Sequence, residues 1–236
     1  MPRFRPIAAP AAALALLALA PIAPAAERNE AGASLVVPDE HSEAGTVYHV
    51  QPGKDAQVTF TSDALLEHIK GVSNQVVGYA VAGPEDRPAA LIAGEFLLPI
   101  ASLDTGILMR DEHLQNERWL NAESYPDISF VITDTKNDTL AKEGEGYSTY
   151  TVTLVGDMSI KGVTKEIEVP ARLTFMSESE QTRSRARGDL MALRCEYEIT
   201  LADFGVNSGG GKIAETVTLD QALFFSTVRP EDQRRR

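Results

Sequence analysis

Apolar and polar residues alternate with a period of two through most of the chain, the pattern of strands with one wet and one buried face. The clearest run is 193–200. Leu193, Cys195, Tyr197 and Ile199 share one face, and Arg194, Glu196, Glu198 and Thr200 share the other. Val58 and Phe60 alternate within 57–61, Ile128, Phe130 and Ile132 within 128–133, and Tyr150, Val152 and Leu154 with threonines. Ile167 and Val169 alternate with glutamates, and runs at 76–81, 91–98 and 216–225 complete the strand candidates. Lys161-Gly162, between apolar positions on both sides, predicts a tight hairpin turn. Segments 84–88 and 137–146 read as polar connections, and Gly209-Gly210-Gly211 as a loose turn. One stretch departs from the period. Segment 111–120 (DEHLQNERWL) places Leu114, Glu117 and Leu120 at helical spacing with acids in the first turn, and Pro126 prevents its continuation. One short helix among about eight strands, with no linker within 46–228, predicts an all-β fold: a single extended antiparallel barrel.

The two ends fall outside that pattern. Arg3 and Arg5 precede the apolar run AAALALLALA at 11–20, too short to span about 30 Å of hydrocarbon as a helix. Small residues at Ala23 and Ala25 follow, so 1–25 reads as a signal peptide cleaved near Ala25, and the mature protein as periplasmic or secreted. Residues 26–45 are acidic and read as a flexible leader, and 229–236 as a solvated, disordered tail.

Charge narrows the partners. The chain of 236 residues carries a net charge of −12, and removal of Arg3 and Arg5 with the signal peptide makes it −14. This excess of acid argues against nucleic acid, which needs a basic stripe, and against electrostatic docking on anionic headgroups. A single cysteine excludes an internal disulfide and any multi-cysteine metal site. Cys195, on an apolar strand face, reads as a small core residue. His41, His49, His68 and His113 show no metal-ligand spacing.

Several spaced blocks carry a resemblance. Segment 99–130 reads PIASLDTGILMRDEHLQNERWLNAESYPDISF, segment 156–167 reads GDMSIKGVTKEI, and Asp203-Phe204-Gly205-Val206 follows later. In this order the blocks resemble the YceI-like, lipid- and polyisoprenoid-binding family. Met158 and Ser159 stand where leucine and threonine are usual, and Leu201 and Ala202 precede D-F-G where an arginine is often found. The resemblance spans about 46–228. It implies a lipocalin-like barrel, typically periplasmic or secreted, whose apolar interior holds a polyisoprenoid or related lipid. No other cofactor is expected, no segment of the mature chain approaches a membrane span, and the sequence leaves monomer and homodimer open.

Candidate lining residues on inner faces are Phe60, Phe96, Phe130, Ile132, Val152 and Tyr197, each equally serviceable as ordinary core. Arg110, Asp111 and His113 form the densest polar cluster. Arg110 is the candidate headgroup contact at the barrel mouth, and the competing reading is helix capping plus a structural ion pair. Trp119 would anchor the helix to the barrel. Asp104-Thr105-Gly106 is also the triplet of aspartic proteases, but a single copy would need a homodimer, and Ile107 follows where a small residue is usual. A turn is the simpler reading, so the expectation is a binding protein with no catalytic residue; the alternatives are an exported structural or interaction barrel filled by its own side chains, with no ligand, and, behind it, an uncharacterised hydrolase.

Overall fold

Ten strands account for most of the computed structural model, which describes residues 27–29, 33–53, 55–64, 67–207 and 213–233. The signal-peptide segment and Gly209 to Gly211 lie outside the described residues. In chain order the elements are α1 (Asp39–Ala44), β1 (Val47–Val50), β2 (Val58–Asp63), β3 (His68–Ser73), β4 (Val77–Val81), β5 (Ala93–Pro99), α2 (Leu108–Gln115), β6 (Asp127–Gly144), β7 (Tyr147–Ile160), β8 (Val163–Met176), α3 (Glu180–Arg183), β9 (Leu190–Thr200) and β10 (Thr216–Ser226). All pairings are antiparallel. Eight strands in the order β1-β4-β5-β6-β7-β8-β9-β10 close on themselves, because β1 also pairs with β10 at His49↔Ser226 and Val50↔Phe225. The β2–β3 hairpin joins the first half of β10, from Thr218↔Thr61 to Gln221↔Val58. The barrel therefore has a closed end at β1 and a second end built partly from the hairpin.

Local chemistry explains these elements. In β9 the predicted inner residues Leu193, Cys195 and Ile199 are buried and the polar residues between them are mostly exposed. Lys161 and Gly162 take φ of +52° and +76°, the left-handed pair that a two-residue β7–β8 hairpin needs. The predicted polar connection at 137–146 is instead mostly strand, since β6 runs on to Gly144. β5 stops at Gly94↔Ile132, so beyond that point β6 pairs with β7 alone, through three register shifts. Both of its faces are largely wet there, and a strand without a buried face carries no apolar alternation.

The helix also differs from expectation. It begins at Leu108 rather than Asp111 and ends at Gln115. Asn116 stops it, its Oδ1 accepting the N–H groups of Arg118 and Trp119 at 3.0 and 3.3 Å. Among the described residues α1 and α3 are two further short helices.

The expected flexible leader and tail are packed where they are described. Leu35 is buried on the outer surface of β4–β5 with Tyr79, Val81, Ala93 and Leu97, and the His41 Nδ1 lies 2.7 Å from the Tyr79 hydroxyl. The physical reason is that β4 is apolar on both faces, and its outer face needs cover. Glu231 Oε1 in the tail accepts from Asn29 Nδ2 at 2.7 Å and Ser34 Oγ at 3.1 Å, tying the two ends together.

Beneath the tail, His49 is only 5% exposed. Burial, followed by the Arg229 guanidinium, lowers its imidazole from the usual 6.5 to about 4, against the opposing pull of Glu231 and Asp232. As pH falls across that window, the unfolded chain takes up a proton that the folded chain refuses. Stability is expected to drop from about pH 6.5 down to about pH 4 through this group. His49→Gln should flatten that part of a plot of urea midpoint against pH.

Candidate functional site

The barrel interior divides into a solid half and a hollow half. Toward the closed end, Tyr48 and Tyr150 meet Phe175 edge-on at 5.7 and 6.1 Å, and Phe96 meets Phe225 at 6.0 Å. Edge-to-face packing of this kind fills space densely. Toward α2 the side chains stand apart and leave a chamber of about 410 Å³, within the range of about 300–1,000 Å³ typical of ligand pockets. Its walls are apolar: Val58 and Phe60 from β2, Ile69 from β3, Leu98 from β5, Ile199 from β9, and Val217 and Leu219 from β10. Leu114 and Trp119 roof it from the α2 segment. A smaller void of about 60 Å³ lies deeper, and Val58, Leu98 and Ile128 border both spaces.

The mouth lies beside α2, where Ile107 (49% exposed) and Met109 (66%) face both chamber and solvent. Arg110 there forms an ion pair with Glu67, which reaches from the β2–β3 connection. Asp111 does not cap the helix. Its Oδ1 accepts from the Thr105 N–H at 2.9 Å and the Thr105 hydroxyl at 2.6 Å. Asp104 Oδ1 accepts from the Gly106 N–H at 2.7 Å, and Gly106 takes φ +74°. The D-T-G and R-D motifs are thus parts of one structure, a tight turn held by the helix that follows it. The same turn stitches the barrel, since Asp104 and Val72 exchange backbone hydrogen bonds of 2.8 and 2.9 Å. This joins β3 to the chain leaving β5.

The predicted site residues fall in three places. Phe60 lines the chamber, and Arg110 stands at its rim. Phe96, Phe130 and Tyr197 border the small void. There Gln221 Nε2 donates to the Tyr197 hydroxyl at 3.0 Å, and the Cys195 thiol contacts Gln221 Oε1 at 3.7 Å. Burial, then the Asp220 carboxylate, pushes that thiol up to about 12, leaving it protonated and inert. Ile132 and Val152 are buried in the main core and border neither internal space. Sequence reasoning missed Ile69, Leu98, Ile199, Val217 and Leu219. Alternation marked the inner face that Ile199 shares and strand candidates covered Leu98, Val217 and Leu219, whereas the strand of Ile69 is absent from the sequence reading; no local signal marks where along the barrel an inner face is unfilled.

A hollow antiparallel barrel with an apolar chamber and a polar-rimmed mouth defines a lipocalin-like barrel with a built-in cavity. The YceI-like domain profile matches residues 48–225, and the chain belongs to that family. A UPF0312 protein of Photorhabdus laumondii is 40% identical over 122 residues, which cover 52% of this chain and 56% of that protein. A UPF0312 protein of Serratia proteamaculans is 31% identical over 119 residues, covering 50% and 54%. The alignments thus span about half the length of these relatives. Among solved structures, BcnA of Burkholderia cenocepacia superposes with a TM-score of 0.55 at 18% identity, covering 74% of this chain and 98% of that one. A polyisoprenoid-binding domain from Saccharophagus degradans, implicated in plant cell wall breakdown, superposes at 0.52 with 15% identity, covering 77% and 98%. At these identities the likeness is one of fold. Among the described residues no helix is long and apolar enough to cross a membrane.

Proposed function

We propose that the protein binds a long-chain isoprenoid or related amphiphilic lipid in the chamber, and sequesters or carries it outside the cytoplasm without catalysing a reaction. The observation that carries this reading is the apolar chamber of about 410 Å³ with its mouth at α2. Such a ligand needs no charged contact along its chain. Ten buried carbons at about 0.8 kcal/mol each contribute about 8 kcal/mol, which corresponds to micromolar affinity only before the ordering costs of binding. A chain longer than ten carbons is therefore the expected class. In this reading Phe60 contacts the chain near the mouth, and Phe96, Phe130 and Tyr197 surround its far end. Arg110 meets the headgroup, and Ile132 and Val152 back the wall. Export rests on the N-terminal signal pattern, and the absence of catalysis on Asp104 being engaged in its turn.

Trp119 is the only tryptophan in the chain and faces the chamber. Titration with a prenyl alcohol of fifteen or more carbons is expected to shift its emission to the blue and saturate at one ligand per chain. An emission spectrum that does not change, together with no ligand co-eluting on gel filtration, would refute the assignment.

A further inference from the structure

The mouth carries a feature that the chamber alone does not require. Ile107, Leu108 and Met109 are consecutive, and all three are exposed, Leu108 most of all at 76%. Ile107 and Met109 are continuous with the chamber wall, whereas Leu108 is not among the residues that line it. Three adjacent apolar side chains in water at the start of a helix are costly, and such a patch commonly marks an interaction surface. Tyr125, 40% exposed, lies at the same end: its ring packs against Gly162 of the β7–β8 turn, two residues beyond the chamber residue Ile160. An amphipathic aromatic at the edge of an apolar tip suits a membrane–water interface.

We propose that this tip docks on a phospholipid bilayer, with Leu108 entering the acyl boundary and the chamber mouth set against the membrane. The proposal rests on the reading of the chamber as a site for a long apolar chain, since such a chain resides in membranes and must cross little water to reach the mouth. Charge selects the kind of bilayer. Asp104, Asp111 and Glu112 lie within four residues of Leu108 in the chain, Arg110 is engaged by Glu67, Lys161 of the Tyr125-contacting turn donates to the Arg118 carbonyl at 3.3 Å, and the chain as a whole is acidic. Docking is therefore apolar in origin, favours uncharged headgroups and resists salt.

The test is flotation of the full mature protein with phosphatidylcholine vesicles, alongside uptake of a prenyl alcohol delivered from cyclodextrin. Wild type is expected to float, and about as well at high salt as at low. Leu108→Asp is expected to lower the bound fraction about tenfold or more, and Leu108→Trp to raise it, both with unchanged melting temperature and unchanged uptake from cyclodextrin. Uptake by a wild-type protein that does not float overturns the docking proposal alone. So does flotation that requires phosphatidylglycerol, flotation that survives Leu108→Asp, or a dimer that depends on Leu108 and leaves vesicles unbound. Failure of uptake from cyclodextrin by every variant overturns the chamber reading, and the docking proposal with it.

Discussion

Replacing Leu98 by Trp is expected to weaken binding of a long prenyl chain by about two to three orders of magnitude while the barrel stays folded. Leu98 borders both the chamber and the smaller void beneath it, so an indole there occupies the path between them. It displaces about four or five ligand carbons, and at about 0.8 kcal/mol each the loss is about 3–4 kcal/mol. Every 1.4 kcal/mol is a factor of about ten in Kd. Overpacking a filled core costs about 1–3 kcal/mol, but here the added volume enters space that is already empty, so the melting temperature should change little. Isothermal titration calorimetry measures the loss. Leu140→Trp, on the exposed β6–β7 extension, is the control and should bind as wild type does. An unchanged Kd in Leu98→Trp would mean that the ligand does not use this space.

The second large effect concerns the fork between β8 and β9. These strands pair only from Ala171↔Cys195 to Met176↔Leu190. Below that point Val163–Pro170 and Glu196–Thr200 lack each other as partners, and Pro170 has no N–H to offer. A 3-10 turn at Leu201–Phe204 follows β9 at the fork and contacts both strands. Phe204 is 2% exposed and packs with the cluster that contains Met158, Ile160, Ile199 and Val217. Gly205 then takes φ +66°, which reverses the chain. The D-F-G-V motif is therefore a wedge that seals the barrel wall beside the chamber. Phe204→Ala is expected to cost about 3–5 kcal/mol of stability, read as a lower urea midpoint with a preserved slope. Phe204→Leu should keep most of it. A midpoint shift in the alanine variant worth less than about 1 kcal/mol would show that the fork closes without the wedge.

These features were legible in the sequence to different depths. A period of two marked the inner faces of β7 and β9, and the Lys161-Gly162 turn was visible because only a few residue types accept its backbone. The β6–β7 extension was hidden because strands wet on both sides have no alternation. The packing of the leader was hidden because a run of only three apolar residues, Leu35-Val36-Val37, in an otherwise small and acidic segment gives no sign that an outer sheet face awaits it. For the site, periodicity gives the face of a strand but not the depth along the barrel axis. Phe60 and Ile132 are equally inward by pattern, yet Phe60 lines the chamber and Ile132 lies in the main core. The chamber itself is bordered by residues from strands, turns and α2 that lie far apart in the chain, so its volume is a tertiary property. The motif blocks were legible as motifs, whereas the bond from Asp111 to Thr105 that unites two of them was not.

The central claim is that the hollow half of the barrel holds one long apolar chain. Native mass spectrometry of the mature protein, purified without detergent and then incubated with a polyprenyl lipid, tests it most directly. The expected spectrum contains the chain plus one lipid, an adduct reduced in Leu98→Trp at the same lipid concentration. A spectrum of the bare chain alone, before and after incubation, would contradict the account.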